Sequence, residues 1–109
     1  MMDVNGKLYG NDVIVRKPED FGGGIELSVQ ASRYHYCSPR ESGLPISAYG
    51  NVEIAILQDG SLRSPKGLLS EDLCSLWEPE SVIDDRYYCV AAFVSQKDLT
   101  RIREQLAHG

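Results

Sequence analysis

No run of apolar residues in this chain approaches the roughly 20 that a membrane-crossing helix needs, so no such helix is expected. Met1-Met-Asp-Val-Asn-Gly6 lacks the apolar segment of a secretory signal, which points to a cytoplasmic protein. Cysteine is scarce. Cys37, Cys74 and Cys89 are an odd number without CxxC spacing, which argues against a disulfide framework or a zinc site. Buried free thiols acting as small apolar groups are the expectation. Positive charge is also short: 11 Lys and Arg against 16 Asp and Glu leave a net charge of −5. A general binder of DNA or RNA needs a basic surface, because phosphate neutralisation drives that affinity. Long nucleic acid is therefore not an expected partner. A single small phosphorylated ligand stays open, since two local arginines would meet its charge.

Familiar catalytic signatures are missing too. Gly22-Gly-Gly24 is followed by no Gly-Lys-Ser/Thr and precedes a strand pattern, so it reads as a flexible hinge and not a phosphate loop. The paired His-x-Thr/Ser motifs of one phosphodiesterase class are absent. Cys37 lies two residues from His35, but His108 is the only other histidine. A thiol nucleophile normally needs its base oriented by a third group, and none is evident. Asp84-Asp85 and Glu78 with Glu80 read as solvated loops, since neighbouring acids on extended chain face apart. No enzyme, cofactor or metal is expected.

What is present is the material of one small domain, residues 1–109. Asn5-Gly6 signals a tight turn and Val13-Ile-Val15 a short strand. Ile25, Leu27, Val29 and Ala31 alternate with polar residues, the period of a half-buried strand. Val52, Ile54 and Ile56 repeat that pattern, and Asp59-Gly60 marks a hairpin leading to a short return strand at Leu62. Ser70 is a candidate cap for a short helix that would place Leu73, Leu76 and Trp77 on one face and stop at Pro79. Tyr87-Tyr-Cys-Val-Ala-Ala-Phe-Val94 is continuously apolar and reads as a more fully buried strand. Ser95 caps a final helix, with Asp98 three residues on and Leu99, Ile102 and Leu106 facing inward. Strands plus one C-terminal helix give an α+β fold: a small antiparallel sheet with that helix packed on it.

Between the two alternating strands, residues 33–51 form a long loop broken by Pro39, Gly43, Pro45 and Gly50. Loops of this length in small domains are often functional. Its first part, Arg33-Tyr-His-Tyr-Cys-Ser-Pro-Arg40, gathers cations and flat rings. Arginine offers phosphate a planar fork of donors, and aromatic faces can stack a base. His35, Tyr36 and Arg40 therefore have two readings. Arg40 either pairs with a carboxylate such as Glu53 while Tyr36 fills the core edge, or anchors a phosphate beside a stacked base. Trp77 and Arg86 form a second candidate pair, with Trp77 either in the core or exposed for stacking.

Leu27-Ser-Val-Gln-Ala-Ser32, His35-Tyr-Cys-Ser-Pro-Arg40 and Tyr49 with Val52-Glu-Ile-Ala-Ile56, followed by a strand-then-helix ending in Ala-His-Gly, resemble a pattern in small phage-encoded proteins. The resemblance is to the phage anti-Thoeris sponge family, whose members sequester cyclic ADP-ribose signals made by bacterial TIR-domain enzymes. It covers about half the chain, mostly residues 25–57, and fails over residues 58–80. It implies binding without cleavage, a small cyclic nucleotide ligand (cyclic ADP-ribose type or a cyclic oligonucleotide), and a homo-oligomer with pockets between subunits in the host cytoplasm. Arg40 matches the motif arginine. Arg86 and Trp77 match no motif and stand on chemistry alone. The competing expectation is a protein-binding inhibitor of a host defence complex, of anti-CRISPR or anti-restriction type.

Overall fold

The computed structural model describes residues 6–9, 13–33, 35–77, 82–83, 86–87 and 90–108, with side chains for 16–33, 35–77 and 90–108. β1 (Gly6–Tyr9) and β2 (Val13–Arg16) form an antiparallel hairpin. β3 (Glu19–Gly22), β4 (Ile25–Gln30), β5 (Asn51–Gln58), β6 (Ser61–Arg63) and β9 (Val90–Ser95) make the main antiparallel sheet. β5 is its centre, pairing with β4, β6 and β9. β7 (Val82–Ile83) and β8 (Arg86–Tyr87) form a separate two-stranded ribbon. α1 (Glu71–Cys74) is a single turn, and α2 (Gln96–His108) follows β9 directly.

The alternation in the sequence becomes a sheet with one packed face. Leu27 and Val29 of β4 and Val52, Ile54 and Ile56 of β5 are all buried. They share one core with Leu99, Ile102 and Leu106 of α2 and with Leu73 and Trp77. This is the α+β arrangement expected from the sequence. The Ser95 hydroxyl accepts the Asp98 amide at 3.1 Å, which satisfies one of the free donors at the start of α2. α1 is tied to α2 by the Arg101–Asp72 ion pair at 2.6 Å and by the Gln105 side chain, whose Oε1 accepts the Ser70 backbone amide at 2.8 Å.

Four sequence expectations are corrected. Gly22-Gly-Gly24 is not a hinge but the turn of the β3–β4 hairpin. At Gly24 φ is +83°, which strains any residue with a side chain, and a Cβ there would also displace the Asp59 carboxylate. The short helix does not extend from Ser70 to Trp77, and Ser70 donates to the Asp72 carboxylate instead of capping a backbone amide. The run Tyr87–Val94 contributes to two sheets: Tyr87 belongs to β8, paired with β7, and Val90–Val94 to β9, paired with β5, while residues 88–89 lie outside the described residues. Within β9, Phe93 is 51% exposed. Of the expected Asn5-Gly6 turn, Gly6 begins β1 and Asn5 lies outside the described residues, as do the acid pairs at 78–80 and 84–85.

β2 and β4 are joined by a side chain that imitates a strand. The β3–β4 register pairs Glu19 with Leu27, which extrapolates to Arg16 opposite Gln30. There the buried Gln30 amide takes over from backbone. Its oxygen accepts the Arg16 N–H and its nitrogen donates to the Arg16 carbonyl, both at 2.8 Å. A buried amide with both ends paired avoids the desolvation cost of an orphan polar group.

Candidate functional site

The loop from Ala31 to Gly50 is fastened at many points. Arg16 donates from Nη1 to the Ala31 carbonyl at 2.8 Å and from Nη2 to the Leu44 carbonyl at 2.7 Å. Its guanidinium also lies 6.0 Å from the centre of the Tyr49 ring. Tyr49 is buried and donates its hydroxyl to the Glu41 carbonyl. Gln96, at the start of α2, donates to the Ile46 and Tyr49 carbonyls at 2.8 and 2.9 Å. Ser38 bridges to Asn51, which holds the middle of the loop beside the central strand. A loop anchored to three other elements is ordered before any ligand arrives, so less entropy is lost on binding.

What the loop presents is a cluster of rings under a cation. Tyr36 is 54% exposed, and its ring centre lies 6.0 Å from that of Phe93, with the planes tilted by 50°. The Arg40 guanidinium sits 5.6 Å above the Tyr36 ring, within cation–π range. The Phe93 amide donates to the Tyr36 carbonyl at 3.0 Å, which locks the two rings side by side. Arg40 makes no ion pair with Glu53 or with any other described carboxylate, and Tyr36 is not at the core edge. Of the two sequence readings of this trio, the carboxylate-paired one does not occur among the described residues.

Phe93 is the residue that sequence reasoning missed. Between Val52↔Val94 and Ile54↔Ala91 the β5–β9 register slips, so Ala92 and Phe93 together oppose Glu53. Such a bulge turns a side chain away from the face it would otherwise occupy. Phe93 also has φ of +54°, a left-handed conformation that is an outlier for a bulky residue. An exposed aromatic held at a backbone cost on the order of 1–3 kcal/mol is the kind of strain that collects at working sites. Only the cross-strand register shows it.

His35 is half-buried beside Tyr36 in the chain. Its Nδ1 is 2.8 Å from the Ser32 hydroxyl. Burial pushes its pKa below the usual 6.5, nearby Glu53 pulls it up, and Arg16 pushes it further down. Its place in the site is thus a neutral ring supporting the loop. Because the folded value lies below the unfolded one, stability is complete above pH 6.5 and is lost as the pH falls through 6.5 towards the folded value. Between about pH 7.5 and about pH 5.5 the melting temperature of the wild type should therefore fall more than that of His35→Gln, measured by thermal unfolding. Parallel curves would remove His35 from the support of the loop.

The remaining expected residues lie elsewhere. Trp77, a candidate stacking ring by chemistry, is 4% exposed and packs in the core with Leu73. A large apolar ring beside α1 gains more from burial than from solvent. The Arg86 side chain is outside the described residues. Cys37 is buried, and its thiol donates to the Ser32 carbonyl at 3.2 Å, so it acts as a packed loop anchor. Among the described residues, no group of three or more His, Cys, Asp or Glu side chains is placed to hold a metal ion. No described helix is long and apolar enough to cross a membrane. No protein-family model, curated protein or solved structure matches this chain.

Proposed function

We propose that the chain is a non-catalytic binder that sequesters a small cyclic nucleotide of the cyclic ADP-ribose type, with Tyr36, Phe93 and Arg40 as the contact surface. One observation carries the reading: an arginine without a described carboxylate partner stacked on an exposed tyrosine, next to a second exposed ring held by a strained bulge. The rings offer faces to a base. Arg40 offers the charge-assisted donors that a phosphate takes up strongly. His35 positions the loop and does not touch the ligand. The sponge resemblance supplies the ligand class, and the pre-ordered loop suits tight capture without turnover. The platform covers one side of a ligand. A second copy of the chain would close the other, which accords with the homo-oligomer that the resemblance implies.

The test is calorimetric titration of the purified protein with cyclic ADP-ribose. Arg40→Ala should weaken binding by about tenfold or more, as expected when one charge-assisted hydrogen bond is removed, with the melting temperature unchanged. Equal affinity in the two proteins would remove Arg40 from the site.

A second reading is favoured by the same exposed surface. Tyr, Phe and Arg in one patch also compose the centre of a protein–protein interface. Under that reading the platform docks on a host defence protein, and cyclic ADP-ribose gives no heat.

A further inference from the structure

A second concave site lies where Arg16 anchors the loop. A cavity of about 360 Å³ is lined by Arg16, Lys17, Glu19 and Arg103, with Val29 and Ile46 as apolar wall. Its charge runs against the rest of the molecule. Three cations face one carboxylate, in a chain whose net charge is −5. The carboxylate is already engaged: Glu19 accepts from Arg103 Nε at 2.9 Å and from Nη2 at 2.6 Å. That fork fixes Arg103 against the sheet and leaves its Nη1 without a bond of its own among the described residues. Arg16 is held rigidly by the carbonyls of Ala31 and Leu44. Lys17 is exposed and has no carboxylate partner among the described residues.

We infer that this cavity binds a small phosphate monoester with a compact apolar body, independently of the Tyr36–Phe93 platform. The phosphate takes the Lys17 ammonium and the open edge of Arg103, and the fixed charge of Arg16 adds to the field. A lysine serves phosphate as a point charge, an arginine as a directed donor. The carbon skeleton lies against Val29 and Ile46. The cavity falls within the volume range of small-molecule sites, about 300–1,000 Å³, and pairs an apolar wall with a few polar groups as such sites do. Ile46 belongs to the same loop as Arg40, so both sites share one anchored element but no contact residue.

The experiment is a heteronuclear NMR titration of the full chain with phenyl phosphate and, separately, inorganic phosphate. Phenyl phosphate should shift the amide signals of Lys17, Glu19 and Ile46 and bind several-fold more tightly than inorganic phosphate. Lys17→Glu should weaken it by about tenfold or more, because an attraction for the phosphate is replaced by a repulsion. Lys17 is exposed and holds no described carboxylate, so the fold should survive, and the spectrum itself reports that. Arg40→Ala should leave phenyl phosphate affinity unchanged. The proposal is overturned by shifts centred on Tyr36 and Phe93, by equal affinity in wild type and Lys17→Glu, or by equal affinity for the two probes. None of these results bears on cyclic ADP-ribose binding, which Arg40→Ala tests separately.

Discussion

A Tyr36→Ala, Phe93→Gly double variant is expected to bind cyclic ADP-ribose about a hundredfold more weakly than wild type and to melt at the same temperature or slightly higher. Each ring is more than half exposed, so little core packing goes with it. A base stacked on an aromatic side chain contributes on the order of 1–3 kcal/mol, and two rings are removed. Glycine at position 93 also accepts the left-handed backbone that phenylalanine adopts only at a cost. Binding and stability should thus move in opposite directions, which ordinary core substitutions do not produce. Phe93→Ala alone keeps the strain and removes the ring, so it should lose affinity without gaining stability. Calorimetry and thermal unfolding on the same preparations read both quantities. Unchanged affinity in the double variant would show that the rings serve another purpose.

The second large effect concerns the scaffold. Ile54→Ala is expected to destabilise the protein by about 2–5 kcal/mol, the range for truncating a fully buried aliphatic side chain. Ile54 is 1% exposed at the middle of β5, with Val29 of β4 and Ala91 of β9 as its cross-strand partners. Neighbours fixed on both sides cannot collapse into the gap, so the cavity term adds to the transfer term. A domain of this size has only about 5–15 kcal/mol to lose. The melting temperature should fall by about 10 °C or more. A fall of only a few degrees in denaturation experiments would mean that the β5 core is far looser than its burial indicates.

The two effects correspond to what the sequence could and could not disclose. β4 and β5 are legible because one face of each is buried against the same core, which writes a period of two into Ile25–Ala31 and Val52–Ile56. α2 is legible for the same reason at helical spacing, with Ser95 marking its start. β3 is not: Glu19-Asp-Phe-Gly22 has no alternation, and it becomes a strand only because β4 offers an edge. Gln30 breaks the alternation of its own strand by being buried, for a reason fourteen residues away in Arg16. The loop trio can be named from residue types alone, yet whether Arg40 faces a carboxylate or a ring depends on packing. Phe93 sits in an eight-residue apolar run that carries no phase information, and its exposure comes from a register slip against β5. Of the two readings the sequence left for Trp77, packing selects the core, where it joins Leu73.

Capture of a nucleotide that leaves the platform unaltered is the central claim. Its most direct test mixes purified protein with a slight deficit of cyclic ADP-ribose, removes free ligand by filtration, heats the retained protein, and weighs the released material by mass spectrometry. The filtrate should be depleted, and the heated supernatant should return cyclic ADP-ribose of unchanged mass. A hydrolysed product in the supernatant, or all the ligand in the first filtrate, would contradict it.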